Sequence, residues 1–162
     1  MPEPRLRHSV RGLIVDENEH VLLCRIDSGD RVVWVTPGGG IEAGESDSEA
    51  LARELLEEVG FVLEIDVAHA WHQVLIAPHH AVDFDGVIND FYFIRTANFE
   101  PEGAFTIEQL AAENLIESRW WSIEEIQTYV GDDVFGPRAL AQLLSDLLRD
   151  GVPERPVLLP HE

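Results

Sequence analysis

The 162 residues carry 31 Asp and Glu against 11 Lys and Arg, a formal net charge of −20, and 45% of them are hydrophobic. That length and apolar fraction suffice for one domain with a buried core, spanning 1–162, and are too short for an expectation of two. The charge excludes stable binding to long nucleic acid or to an anionic membrane surface, because both want a clustered basic face, so an anionic ligand would need cations to mediate its contact.

The first stretch, Met1 to Gly12, has charges but no hydrophobic signal segment behind them, and no apolar run reaches membrane-spanning length, so a cytoplasmic protein is expected. The segments HSVRGLIVDE and HVLLCRID read as strands around a turn at Asn18–Glu19. Cys24, the lone cysteine, excludes an internal disulfide and reads as a buried small hydrophobe. RVVWVTP reads as a third strand, ended by Pro37. ESDSEALARELLEEVG is the clearest helix: Ser46 and Glu49 form a capping-box pattern, Gly60 suits the left-handed end, and Leu51, Leu55 and Val59 recur on one face. FVLEIDVAHAWHQVLIA and GVINDFYFIRTANF read as strands joined by a polar loop, and TIEQLAAENLIES as either a short helix or a charged loop. RWWSIEEIQTYV starts as a strand and becomes a helix at Ser122, and GPRALAQLLSDLLRD is a second firm helix with Leu140, Leu143, Leu144 and Leu147 on one side. The proline-punctuated tail, 151–162, is expected on the surface.

Within the clear helix, Glu54, Glu57 and Glu58 lie three and four residues apart, off the apolar stripe and next to one another. Like-charged neighbours at that spacing cost about 0.2–0.5 kcal/mol per pair, and Arg53 alone stands beside them. Ahead of the helix, TPGGGIEAGES can turn sharply and expose carbonyl oxygens near these carboxylates. Hard divalent cations bind such oxygen sets, and Mg²⁺ combines a few carboxylates with substrate phosphates. A P-loop is excluded, since no Lys-Ser/Thr pair follows the glycines.

Gly39 to Phe61, GGIEAGESDSEALARELLEEVGF, resembles the box of the Nudix hydrolase family, with Gly39, Glu45, Arg53, Glu54, Leu55, Glu57, Glu58 and Gly60 in register and Phe61 in place of an aliphatic residue. The flanks fit too: strands precede the box, Trp34 stands three residues ahead of Pro37, and RWWSIEEI resembles the family's late strand-then-helix element. The resemblance implies an α/β/α sandwich around a central mixed β-sheet. It also implies metal-dependent hydrolysis of a nucleoside diphosphate linked to another moiety. Carried over by residue, Glu54, Glu57 and Glu58 would ligate Mg²⁺ or Mn²⁺ with a carbonyl of the Gly38–Gly39 corner. Glu54 would be the general base, and Arg53 and Glu45 would hold the cluster's geometry. A further acidic residue is expected from EQLAAENLIESRW, with Glu113 ahead of Glu117.

The expected partner is a nucleotide-derived small molecule, with a homodimer as an assembly the family allows. Arg25 matches a position where family members keep a phosphate-binding arginine, and Arg31 follows in the next loop. Pro78 resembles a proline of ADP-ribose hydrolases, which favours an ADP-ribose or sugar-nucleotide substrate over a (d)NTP or a non-catalytic nucleotide sensor. Trp34, Trp71, His72, Phe91, Trp120 and Trp121 offer stacking surface but read first as core. His79 and His80 are adjacent without a third ligand in view.

Overall fold

A computed structural model of the chain describes residues 3–64, 66–76, 83–103 and 105–160. Its elements run β1 (Leu6–Val15), β2 (Val21–Asp27), β3 (Val32–Val35), β4 (Gly38–Gly40), α1 (Asp47–Val59), β5 (Ala68–Ile76), β6 (Gly86–Arg95), α2 (Ile107–Ala112), β7 (Leu115–Trp121), α3 (Ile123–Gln127), β8 (Val134–Gly136), α4 (Leu140–Asp150) and β9 (Val157–Leu158). The strands form one mixed sheet in the order β8-β3-β2-β1-β6-β5-β9, to which β4 adds by pairing with β1, and β7 by pairing with β2. The pairs β1–β6, β3–β8 and β5–β9 are parallel, and the rest are antiparallel.

Both faces of this sheet are covered, as the expected sandwich requires. On one face Val10, Ile14, Leu22 and Cys24 pack against Ala50, Leu51, Leu55 and Val59 of α1. On the other, Leu13, Val15, Trp34, Trp71, Phe91 and Trp121 pack against α3 and α4 through Ile126, Leu140, Leu144 and Leu147. The alternation of β1, Val10 and Ile14 one way and Leu13 and Val15 the other, is what lets a single strand serve two cores. Four of the aromatic residues with stacking potential, Trp34, Trp71, Phe91 and Trp121, are therefore core residues.

Helix α1 starts and stops where its sequence dictates. Ser46 accepts from the Glu49 amide while the Glu49 carboxylate accepts from the Ser46 amide, and Gly60 ends the helix at φ 73°. The following chain closes over that end, Glu102 N–H donating to Val59 O and Phe105 N–H to Glu57 O. The ambiguous TIEQLAAENLIES resolves into α2, capped by Thr106, and the start of β7. The expected strand from Phe61 is shorter than the apolar run suggests and begins at Ala68. Part of the tail expected on the surface docks instead: β9 runs beside β5, and Leu159 is buried in the α4-side core. The short strands β4 and β8 have too few residues to show a period and exist only through their partners.

The two caps of α1 differ in what they cost to remove. A Cβ on Gly60 would stand 2.1 Å from Glu102 O, at a left-handed φ. Ser46→Ala should therefore lower unfolding free energy by about 1 kcal/mol, and Gly60→Ala by more, measured by urea denaturation; the reverse order would contradict this account of the helix end.

Candidate active site

Helix α1 sets its carboxylates beside the glycine corner because β4 runs antiparallel to β1, with Arg11 opposite Gly38 and Val10 opposite Gly39. The approach is so close that a Cβ on Gly39 would lie 2.5 Å from Glu54 Oε1, and one on Gly38, at φ 152°, 2.0 Å from Val10 O. Glycine at both positions is thus a steric requirement of the cluster. The Gly38 amide donates to Glu58 Oε2 at 3.0 Å.

Arg53 answers the crowding seen in the sequence. Its Nε and Nη2 donate to both oxygens of Glu45 (2.8 and 2.9 Å), Nη2 also reaches Gly40 O (3.0 Å), and Nη1 donates to Glu54 Oε1 at 2.9 Å and Glu57 Oε2 at 3.4 Å. The bidentate pair pulls the Glu45 carboxyl down to about 2. Behind the corner, half-buried Arg11 donates to Thr36 O (3.1 Å) and Gly38 O (3.3 Å), and desolvation lowers its pKa against the pull of Glu58 and Glu54. Desolvation raises the Glu54 carboxyl despite Arg53, and pushes Glu58 up to about 8, more than Arg11 and the Gly38 amide offset.

Arg11, Arg53, Glu54, Glu57, Glu58 and the glycine corner line a cavity of about 380 Å³, with Ile41, Phe105, Glu113 and Arg7 completing its wall. Glu113, at the end of α2, faces it and adds its field to Glu58. Glu117 instead lies 3.6 Å from Arg25. Arg25 also donates to Asp133 at 2.9 Å, a carboxylate shared with Trp34 Nε1 at 3.0 Å, and it is not among the cavity-lining residues. Arg31 is exposed in the β2–β3 turn, its carbonyl accepting from the Ser28 amide and hydroxyl. Pro78, His79 and His80 lie outside the described residues.

Sequence reasoning missed Arg7 and Arg11 as wall residues. Arg11 reaches the site only through the β1–β4 pairing, which leaves no periodic signal. It also missed that Asp90 accepts from His8, His69 and His72.

The donor set fits a hard divalent cation: Glu54, Glu57 and Glu58 offer only oxygen, and the missing Cβ of Gly39 leaves the Glu54 carboxylate its room. Cys24 offers no competing thiolate, since it is fully buried and pushed up to about 12. No helix among the described residues is long and apolar enough to cross a membrane.

Comparison with known proteins agrees with this geometry. The chain is 45% identical over 62 residues to the nucleoside triphosphatase NudI of Enterobacter sp. (strain 638), a match covering 36% of this chain and 43% of that protein. The chain thus spans less than half the length of that relative. Its fold resembles the MutT protein of Methanosarcina mazei Go1 at a TM-score of 0.62 and 22% identity, over 93% of this chain and 98% of that one. It likewise resembles the NUDIX domain of Shewanella oneidensis NrtR, solved with ADP ribose, at a TM-score of 0.65 and 14% identity, over 91% and 90% of the two chains. A NUDIX domain model matches residues 5–143, which hold both flanks of the cavity as well as the helix, and the chain belongs to the Nudix family.

Proposed function

We propose that the chain hydrolyses the phosphoric anhydride bond of a nucleoside diphosphate linked to a second moiety, of the ADP-ribose or sugar-nucleotide type, in the cavity over α1. The observation that carries the substrate class is the state of the wall's cations. Arg53 is committed to Glu45, Glu54 and Glu57, and Arg11 to two backbone carbonyls. Arg7 alone among the described lining residues is an exposed cation with no carboxylate partner. One free guanidinium suits a diphosphate diester, which carries about half the charge of a triphosphate. A second reading, hydrolysis of a (d)NTP, is favoured by the likeness to a protein named a nucleoside triphosphatase.

In this reading Glu54, Glu57 and Glu58 hold Mg²⁺ or Mn²⁺, which screens the phosphoryl oxygens and lowers the pKa of the attacking water. Arg7 orients the diphosphate against the glycine corner, and Ile41 and Phe105 give the cavity its apolar walls. Glu54 Oε1 is held by Arg53, so Oε2 is the oxygen left to take the water's proton. Glu45 acts through Arg53, fixing the angle at which that guanidinium meets Glu54. Glu113 stands across the cavity as a further acceptor.

Glu54→Gln keeps the shape and removes the base, so turnover should fall by about 10²–10⁴-fold while the far-UV spectrum persists. Near-native turnover would move the base to Glu58 or Glu113. In a panel of ADP-ribose, sugar nucleotides and (d)NTPs with Mg²⁺ or Mn²⁺, Arg7→Ala should raise KM for the diphosphate substrate about tenfold to a hundredfold with little change in kcat, as loss of one charge-assisted contact predicts. A wild-type preference for a triphosphate would select the second reading, and no turnover of any nucleotide would indicate a sensor.

Proton and metal compete for Glu58. Its carboxyl titrates near 8 in the metal-free fold and at the ordinary carboxylate value when unfolded, so the fold binds the extra proton between them. Metal-free stability should then fall as pH rises from about 5 to about 8, and Glu58→Gln should flatten the profile. Over the same range Mg²⁺ should bind more tightly with each rise in pH, since fewer protons must leave. Calorimetry showing pH-independent affinity across this window would refute the assignment.

A further inference from the structure

Outside the cavity, three imidazoles converge on one carboxylate. His69 Nε2 lies 2.8 Å and His72 Nδ1 2.6 Å from Asp90 Oδ1, while His8 Nε2 lies 2.5 Å from Oδ2. The Asp90 side chain is 7% exposed and the three histidines 31–38%, so the carboxylate is sunk beneath rings that solvent can reach. We infer that His69, His72 and Asp90 form a second metal site, for Zn²⁺, distinct from the carboxylate site on α1.

The backbone builds this cluster at a specific place. Residues 69 and 72 would point to opposite faces of a regular strand. A register shift between His69 and Trp71 leaves Ala70 as an extra residue, so that His69 stands opposite Tyr92 and His72 opposite Asp90, on one face. Parallel β1 supplies His8 beside Ile88, two residues from Asp90. The His69 ring is further fixed by stacking on Tyr92, with centroids 4.8 Å apart and planes at 21°, and the Tyr92 hydroxyl donates to Asp47 at 2.8 Å. Six side chains, from three strands and the start of α1, are thereby locked around one point.

The donors suit zinc. The facing atoms of His69, His72 and Asp90 all lie within 4.8 Å of one another. Tetrahedral Zn²⁺, with bonds of about 2.0–2.1 Å, places its ligand atoms roughly 3.3 Å apart, so the Oδ1 contacts of 2.8 and 2.6 Å would open by roughly half an ångström or slightly more. Two imidazoles and a carboxylate favour a borderline-soft ion over Mg²⁺, the opposite preference to the oxygen-only cluster on α1. His8 then remains on Oδ2 and orients the ligating carboxylate, the role such outer partners have in metal sites. The fourth position is open to water or to Asp47, which forms a second group within 4.8 Å with His8 and Asp90.

The test uses the full untagged chain in saturating Mg²⁺. Zn²⁺ titration by calorimetry should show one equivalent bound, retained in Glu57→Gln/Glu58→Gln and weakened at least tenfold in His69→Gln/His72→Gln, with circular dichroism confirming that each variant is folded. Should the double histidine variant fail to fold, Co²⁺ on the native chain decides: intense visible bands of nitrogen-bearing tetrahedral coordination support the site. Weak octahedral bands alone overturn it, as does Zn²⁺ uptake that follows the glutamates or survives loss of the histidines. Those outcomes would leave the cluster a hydrogen-bonded clamp.

Discussion

The crowding of three carboxylates on two turns of α1 is the constraint that the surrounding structure answers. Left alone, Glu54, Glu57 and Glu58 would repel each other and resist burial. Arg53 offsets this by spreading one guanidinium over Glu45, Glu54, Glu57 and the Gly40 carbonyl, which also ties the loop before the helix to the helix itself. Removing Arg53 would leave several half-buried charges without their partner, which costs far more than an exposed pair is worth. Arg11 works from beneath, where it can touch only carbonyls, and acts on Glu58 and Glu54 through its field. In the proposed function a divalent cation would relieve the residual repulsion.

An anion-binding function in a chain of net charge −20 depends on how few cations are placed and how they are used. All 11 basic residues are arginines. The planar fork explains the choice at Arg53, whose contacts a lysine's single ammonium could not reproduce, and at Arg25, which spans Asp133 and Glu117. Arg119 lies 3.7 Å above the Trp121 ring while pairing with Glu125. Arg11, Arg25, Arg53 and Arg119 are thus committed to partners within the protein, and in the proposed function substrate attraction rests on Arg7 together with bound cations.

The helix carrying the site was legible because its signals are local: Ser46 and Glu49 at its start, Gly60 at its end, and a four-residue apolar period between. The box spacing singled out Glu54, Glu57 and Glu58, which line the cavity, and the mixed sheet followed from the resemblance. What escaped was non-local. Arg25 sits at the expected point of β2, yet Asp133, over a hundred residues away in sequence, holds its guanidinium. Arg7 gave no periodic or motif signal. His69 and His72 are three apart, a spacing that on a regular strand means opposite faces, and only the bulge unites them. Leu159 looked like part of a loose tail because nothing nearby in sequence marks the strand edge on β5 that receives it.

Strand β1 links these features. Its neighbours Arg7 and His8 serve different places, the cavity wall and the Asp90 cluster, while Val10 and Leu13 anchor opposite cores. A strand bonded to β2, β4 and β6 can carry such divided duties because its backbone is fixed from both sides, and alternation then delivers each side chain to its own environment. The two clusters differ in donor chemistry as well as in position. Carboxylates alone at α1 leave a hard ion free to keep water and phosphate as ligands, whereas two imidazoles beside the Asp90 carboxylate favour a borderline-soft ion. Chemical selectivity of this kind would let one chain hold the proposed catalytic cation at α1 and the inferred ion at Asp90 without the second invading the first.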